Sequence, residues 1–184
     1  WGKATGLTRL AASPGLLSGG GEMAPCAASQ TAAFCVAESA AMPPQLQRIA
    51  LDGSGTLVLD RPNDLPDHDD LLTEAIEWQV GGSRASGWLV RPKFPGRLPL
   101  FITYYRCAGY LRGGLGNEWP LRALAASGIA ALCINQLPSG GAKAEARYEL
   151  GLAAVRAAVA ELDRRGLVDP GRVGMGGLSF GSEV

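Results

Sequence analysis

The chain has 184 residues, with 17 Lys and Arg set against 17 Asp and Glu, and so carries no net charge. That balance gives no electrostatic case for nucleic acid or an anionic membrane surface as partner. A hydrophobic fraction of 47% is too high for a disordered chain. No uninterrupted apolar stretch approaches the about 18 residues a bilayer span needs, and Lys3 and Arg9 are not followed by the apolar core of a signal peptide. The chain opens on Trp1 and stops at Val184 inside what reads as a structural element, so a piece of a longer protein is expected.

Residues 1–65 hold short apolar runs separated by turn signals. Gly19-Gly20-Gly21 precedes Thr31 to Ala37, and Pro43-Pro44 precedes Gln45 to Leu51, whose length and flanks favour a strand. Asp52-Gly53-Ser54-Gly55 reads as a hairpin turn, with Thr56 to Leu59 as the return strand. Short strands joined by turns predict antiparallel β structure such as a propeller blade. A blade takes roughly 40–45 residues, so this segment holds little more than one.

Residues 61–70 form a polar linker with two prolines and four aspartates, and the pattern changes after it. Glu74 to Val80 and Ala85 to Val90 read as a hairpin around Gly81-Gly82. Leu98 to Tyr105 is a nearly continuous apolar run, as suits a strand buried on both faces. Asn117 is placed to cap a helix through Ala126, with Pro120 in its first turn and Gly128 after it. Ile129 to Ile134 is a second buried strand. Leu150, Ala154, Ala158 and Leu162 keep helical spacing within a helix from Ala144 to Arg165 that Gly166 ends. A third strand begins at Arg172. Strands alternating with helices predict an α/β fold with parallel pairing.

The third strand runs into Gly177-Leu178-Ser179-Phe180-Gly181, a G-x-S-x-G pattern. Such a serine sits on a sharp strand-to-helix turn, small residues two positions to either side let the backbone close up, and the hydroxyl stands clear of the sheet. The N–H of the following residue, Phe180, then points where an oxyanion would form. The pattern alone is weak; its place after buried strands and a long helix gives it weight. A glycine-rich turn with an incidental serine is the bland alternative.

Tyr104-Tyr105 and the glycine-bearing run through Gly116 follow the first buried strand, where this kind of fold contributes the other half of an oxyanion hole. Packing at the strand end accounts for the two tyrosines equally well. Gly114-Leu115-Gly116 lacks the third glycine of a dinucleotide fingerprint, and no His/Cys cluster has metal-ligand spacing, so no cofactor or metal is expected. Cys26 and Cys35 suit either a cross-strand disulfide or two reduced thiols, whereas Cys107 and Cys133 read as small core residues. His68 is the single histidine; it lies in the acidic linker, before Ser179. A hydrolase of this order places its acid and histidine after the serine, so neither is expected within these residues, and the 184 residues alone are expected to be inactive.

Taken together, these residues resemble the prolyl oligopeptidase (S9) family of serine peptidases. Phe34 to Ala40 with Pro43-Pro44-Gln45-Leu46 is similar to a late propeller segment, Arg61-Pro62-Asn63 to its exit, and Gly166 to Gly174 followed by the G-x-S-x-G turn to the nucleophile region. Within that family, Tyr104 to Gly114 with Glu118-Trp119-Pro120-Leu121 is similar to lasso peptide isopeptidases. The resemblance implies a propeller end over residues 1–65, and over 66–184 the first part of an α/β-hydrolase domain, truncated just after the elbow. It implies Ser179 as nucleophile, the Phe180 N–H as one oxyanion donor and Tyr105 as the second. The substrate would be a peptide, including a threaded lasso peptide; the location, bacterial cytoplasm or periplasm, is left open. An esterase of the same fold and a non-catalytic truncated product are the rivals.

Overall fold

A computed structural model describes residues 8–13, 15–21, 24–62, 70–105, 107, 119–141 and 143–184. His68, Arg106, Asn117 and the glycine-bearing run of residues 108–118 lie outside them. The described residues fall into two compact units, one of residues 8–62 and one of residues 70–184.

In the first unit, β1 (Leu16–Ser18), β2 (Ala27–Ala28), β3 (Ala32–Glu38), β4 (Gln45–Ala50) and β5 (Thr56–Asp60) form one antiparallel sheet in the order β1-β3-β4-β5, with β2 also paired to β3. The β4–β5 turn forms for a local reason. The Asp52 carboxylate accepts the Ser54 N–H at 2.9 Å, and Gly53 and Gly55 take φ of +78° and +135°, which residues with a Cβ resist. Ala32, Cys35 and Ala37 on β3 are buried. Cys26 and Cys35, whose Cα atoms lie 4.8 Å apart, form a disulfide, which decides the pairing that spacing left open.

The second unit has β6 (Leu71–Val80), β7 (Ser83–Pro92), β8 (Leu98–Tyr105), α1 (Leu121–Ala126), β9 (Ala130–Asn135), α2 (Ala144–Arg164) and β10 (Val168–Gly176). The sheet order is β10-β8-β9-β7-β6. β8 is parallel to both β9 and β10, whereas β7 is antiparallel to β9 and to β6. Parallel neighbours need crossovers, and α1 and α2 supply them. β9 lies at the centre, and Ala130 to Ile134 are all buried, which is why this strand reads as one apolar run. α2 lays Gly151, Ala154, Ala158 and Leu162 against the core, and the Trp78 indole N–H of β6 donates to the Ala154 carbonyl at 3.1 Å. Gly151 is costly in mid-helix, but a Cβ there would sit 2.8 Å from a Val184 methyl and 3.3 Å from the Tyr104 ring, so its absence lets α2 come close.

Three expectations need correction. The first helix starts at Leu121, one residue after Pro120, and has no side-chain cap. The last strand starts at Val168, not Arg172: its register with β8 shifts between Val168 and Val173, and that irregularity absorbs Asp169-Pro170-Gly171. Pro170 falls inside that irregularity, where the ladder does not need its missing N–H, and the Asp169 carboxylate takes the Gly171 N–H at 2.9 Å. Cys107 and Cys133 are not separate core residues but form a disulfide. β8 and β9 are parallel neighbours, and the chain leaving β8 brings the Cys107 Cα within 5.6 Å of that of Cys133.

Candidate active site

The site is built where β10 ends. β10 delivers Gly176-Gly177-Leu178 to a single tight turn of 3-10 type, Ser179–Ser182. Ser179 has φ of +51°, the left-handed region, which costs a residue with a side chain about 1–2 kcal/mol. The exposed serine is held there by backbone packing on both sides. A Cβ on Gly177 would lie 2.0 Å from the Gly181 carbonyl oxygen, and one on Gly181 would lie 2.2 Å from the Tyr104 carbonyl oxygen. The two glycines of the G-x-S-x-G pattern therefore meet each other, and the second meets the end of β8. Gly176 is constrained as well: a Cβ there would enter the rings of Trp119 and Phe101 at 2.7–2.8 Å.

Hydrogen bonds close the turn. The Gly181 N–H donates to the Leu178 carbonyl at 3.0 Å, the Glu183 N–H to the Phe180 carbonyl at 3.2 Å, and the Ser182 hydroxyl to the Ser179 carbonyl at 2.7 Å. None of these uses the Phe180 N–H or the Ser179 hydroxyl.

The Phe180 side chain is the anchor. Its ring stacks on Tyr148 at 5.3 Å, meets Tyr105 edge-on at 5.9 Å and Tyr104 at 6.2 Å, and carries the Arg147 guanidinium 4.6 Å from its centroid. The Tyr148 hydroxyl donates to the Glu183 carboxylate at 2.5 Å, which raises the Tyr148 pKa. Burial raises the Tyr104 pKa. Elements far apart in sequence thus fix the residue that follows Ser179.

Tyr105 ends β8. It has φ of +123°, pairs in register with Asn135, and its carbonyl accepts the Gln136 N–H at 3.0 Å. The structure thus brings Tyr105, Phe180 and Ser179 to one edge of the second unit. Their order along the chain made that grouping legible; Arg147, Tyr148, Glu183 and Asn135 were missed, because nothing in their local sequence marks them.

No protein-family model matches the chain. Over 171 residues it is 32% identical to the lasso peptide isopeptidase AtxE2 of Asticcacaulis excentricus, in a match that takes in 81% of this chain and 24% of that protein. This chain is a homologue of that isopeptidase. It therefore spans about a quarter (24%) of its relative's length. The structure of the isopeptidase without ligand superposes with a TM-score of 0.75 at 30% identity, covering 91% of this chain and 28% of the other. The isopeptidase as a serine-to-alanine variant with Astexin3-dC4 bound gives 0.74 at the same identity and coverage. An acylaminoacyl peptidase gives 0.61 at 17% identity over 84% of this chain and 26% of its own, a likeness of fold alone. The isopeptidase and the S9 peptidases around it thus share the α/β architecture described here.

Proposed function

We propose that the chain is the elbow-bearing part of a serine peptidase of the prolyl oligopeptidase kind, acting on peptide or isopeptide bonds, with a lasso peptide as the preferred substrate. The observation that carries the reading is the turn at Ser179: a serine at positive φ, after a strand, wedged by Gly177 and Gly181. Homology to a lasso peptide isopeptidase supplies the bond type. In this reading residues 1–65 are the end of a propeller and residues 66–184 the first part of an α/β-hydrolase domain. The antiparallel sheet of residues 16–60 and the β10-β8-β9-β7-β6 order support that division.

In the proposed reaction the Ser179 Oγ attacks the carbonyl carbon of the scissile bond and gives its proton to a base. The Phe180 N–H and the Tyr105 hydroxyl hold the oxyanion of the tetrahedral intermediate. The amine leaves with the proton, an acyl-enzyme remains, and water releases it. The sole histidine, His68, precedes Ser179. We therefore assign the base to none of these 184 residues and place it, with its acid, in the remainder of a protein of the relative's length; the 184 residues alone are inactive on this reading.

The test uses the full-length protein with a threaded lasso peptide, with linear proline-containing peptides and with an aryl ester. The proposal expects the lasso peptide to gain the mass of one water and lose its ring. Cleavage of the linear peptides alone overturns the isopeptidase reading. Hydrolysis of the ester alone overturns the peptidase reading in favour of an esterase.

A further inference from the structure

The Tyr105 backbone is held from both sides. Before it, β8 is paired with β9 from Leu100 to Tyr105, ending at Tyr105 against Asn135, and the Gln136 N–H donates to the Tyr105 carbonyl. After it, Cys107 is fixed twice. Its sulfur is bonded to Cys133, and its N–H donates to the Asn135 Oδ1 at 3.2 Å, while the Asn135 Nδ2 donates to the Ser86 hydroxyl at 3.3 Å. The platform under these contacts is closely packed. Cys133 is buried in the central strand, and Gly87 of β7 packs so close that a Cβ there would lie 2.2 Å from the Cys133 carbonyl oxygen.

Tyr105 needs such a hold. A tyrosine at φ of +123° persists only where its surroundings impose it. A side chain at the end of a strand ladder, with nothing fixing the following residues, relaxes towards negative φ and re-aims its ring. The other disulfide, Cys26–Cys35, makes no contact of this kind, since it ties β3 to the residue before β2 in the first unit.

We propose that the Cys107–Cys133 disulfide and the Asn135 amide form a clamp that positions Tyr105 beside the Ser179 turn, so that the speed of the chemical step depends on the redox state of this cysteine pair. The inference rests on the reading of Tyr105 as an oxyanion donor. The two cysteines and Asn135 are positioning residues; they act through Tyr105 and touch no reacting atom.

The experiment is a mutant cycle on the full-length protein with a fluorophosphonate as probe. In that reaction the Ser179 Oγ forms a bond to phosphorus, fluoride leaves, and the serine proton goes to the base. The maximal phosphonylation rate and the probe's half-saturating concentration are measured for wild type, Tyr105→Phe, Cys107→Ala/Cys133→Ala and the triple variant. Tyr105→Phe slows the maximal rate by about tenfold or more. The cysteine pair variant slows it by about tenfold, with half-saturation within about twofold of wild type; in the Tyr105→Phe background the same change costs less than about twofold, because its effect passes through the hydroxyl already removed. An equal loss in both backgrounds, or no loss, overturns the clamp alone. A wild-type rate in Tyr105→Phe refutes the donor reading, and the clamp's catalytic role with it. Should the cysteine variant lack a cooperative thermal transition, the cycle is run by reducing folded wild type and folded Tyr105→Phe with a water-soluble phosphine. Each phosphine gives two electrons to one disulfide and takes oxygen from water, leaving two thiols and a phosphine oxide. Slowing confined to the wild type supports the clamp, and equal slowing overturns it.

Discussion

Replacing Gly181 by Ala puts a methyl group 2.2 Å from the Tyr104 carbonyl oxygen. An ordinary carbon–oxygen contact is above 3 Å, so the two must separate by about 1 Å. Tyr104 has little room to retreat: it is paired with Ile134 of the central strand β9, and Thr103 before it is paired with Cys133 of β9 and with Gly176 of β10. The turn must move instead, and forcing atoms into a packed site costs about 1–3 kcal/mol. If Ser179 is the nucleophile as proposed, a displacement of about 1 Å there costs on the order of a hundredfold in rate. Gly82→Ala is the matched control, since a Cβ at Gly82 meets nothing within 4 Å, and a change of less than about 0.5 kcal/mol is expected there. The assay pairs denaturant unfolding with the rate of fluorophosphonate labelling in the full-length protein. Gly181→Ala with wild-type stability and labelling would refute the wedge argument.

Leu132 is fully buried in the central strand, and Leu132→Ala is expected to cost about 2–5 kcal/mol in denaturant unfolding; a loss under about 1 kcal/mol contradicts that packing. All four cysteines of these residues are paired, so a thiol-reactive dye followed by peptide mapping should label none of the four in the denatured, unreduced protein and all four after reduction. Hydrogen bonds from Arg164 and then Arg165 lower the Glu161 pKa from 4.5 to about 2. The charged form is the one favoured on folding, so its contribution is present above pH 4.5 and is lost as pH falls through about 2. Unfolding midpoints of wild type and Glu161→Gln should therefore differ near neutral pH and converge at the acid end, and a gap that persists below pH 2 contradicts the pairing.

Much of the second unit was legible because its elements carry unmixed signals. Leu98–Tyr105 reads as one apolar run and is one strand, buried at Leu98, Leu100, Ile102, Thr103 and Tyr104. The period of Ala154, Ala158 and Leu162 sets the buried face of α2. What escaped depends on neighbours distant in sequence. Cysteine pairing follows from which strands lie side by side, and no spacing encodes that Cys107 meets Cys133. The Asp169-Pro170-Gly171 sequence reads as a break, yet a strand with a register shift at that point admits it. At Ser179–Ser182 the motif located the turn and its two glycines. The ring cluster of Tyr104, Tyr105, Tyr148 and Arg147 around Phe180 required the fold to be assembled first.

The central claim is that Ser179 is the nucleophile. The direct measurement is mass spectrometry of the full-length protein after fluorophosphonate labelling and proteolysis, for wild type and Ser179→Ala. A phosphonylated peptide carrying Ser179 is expected in the wild type and no labelled peptide in the variant. Labelling that persists in Ser179→Ala, or that falls on another residue of the wild type, would contradict it.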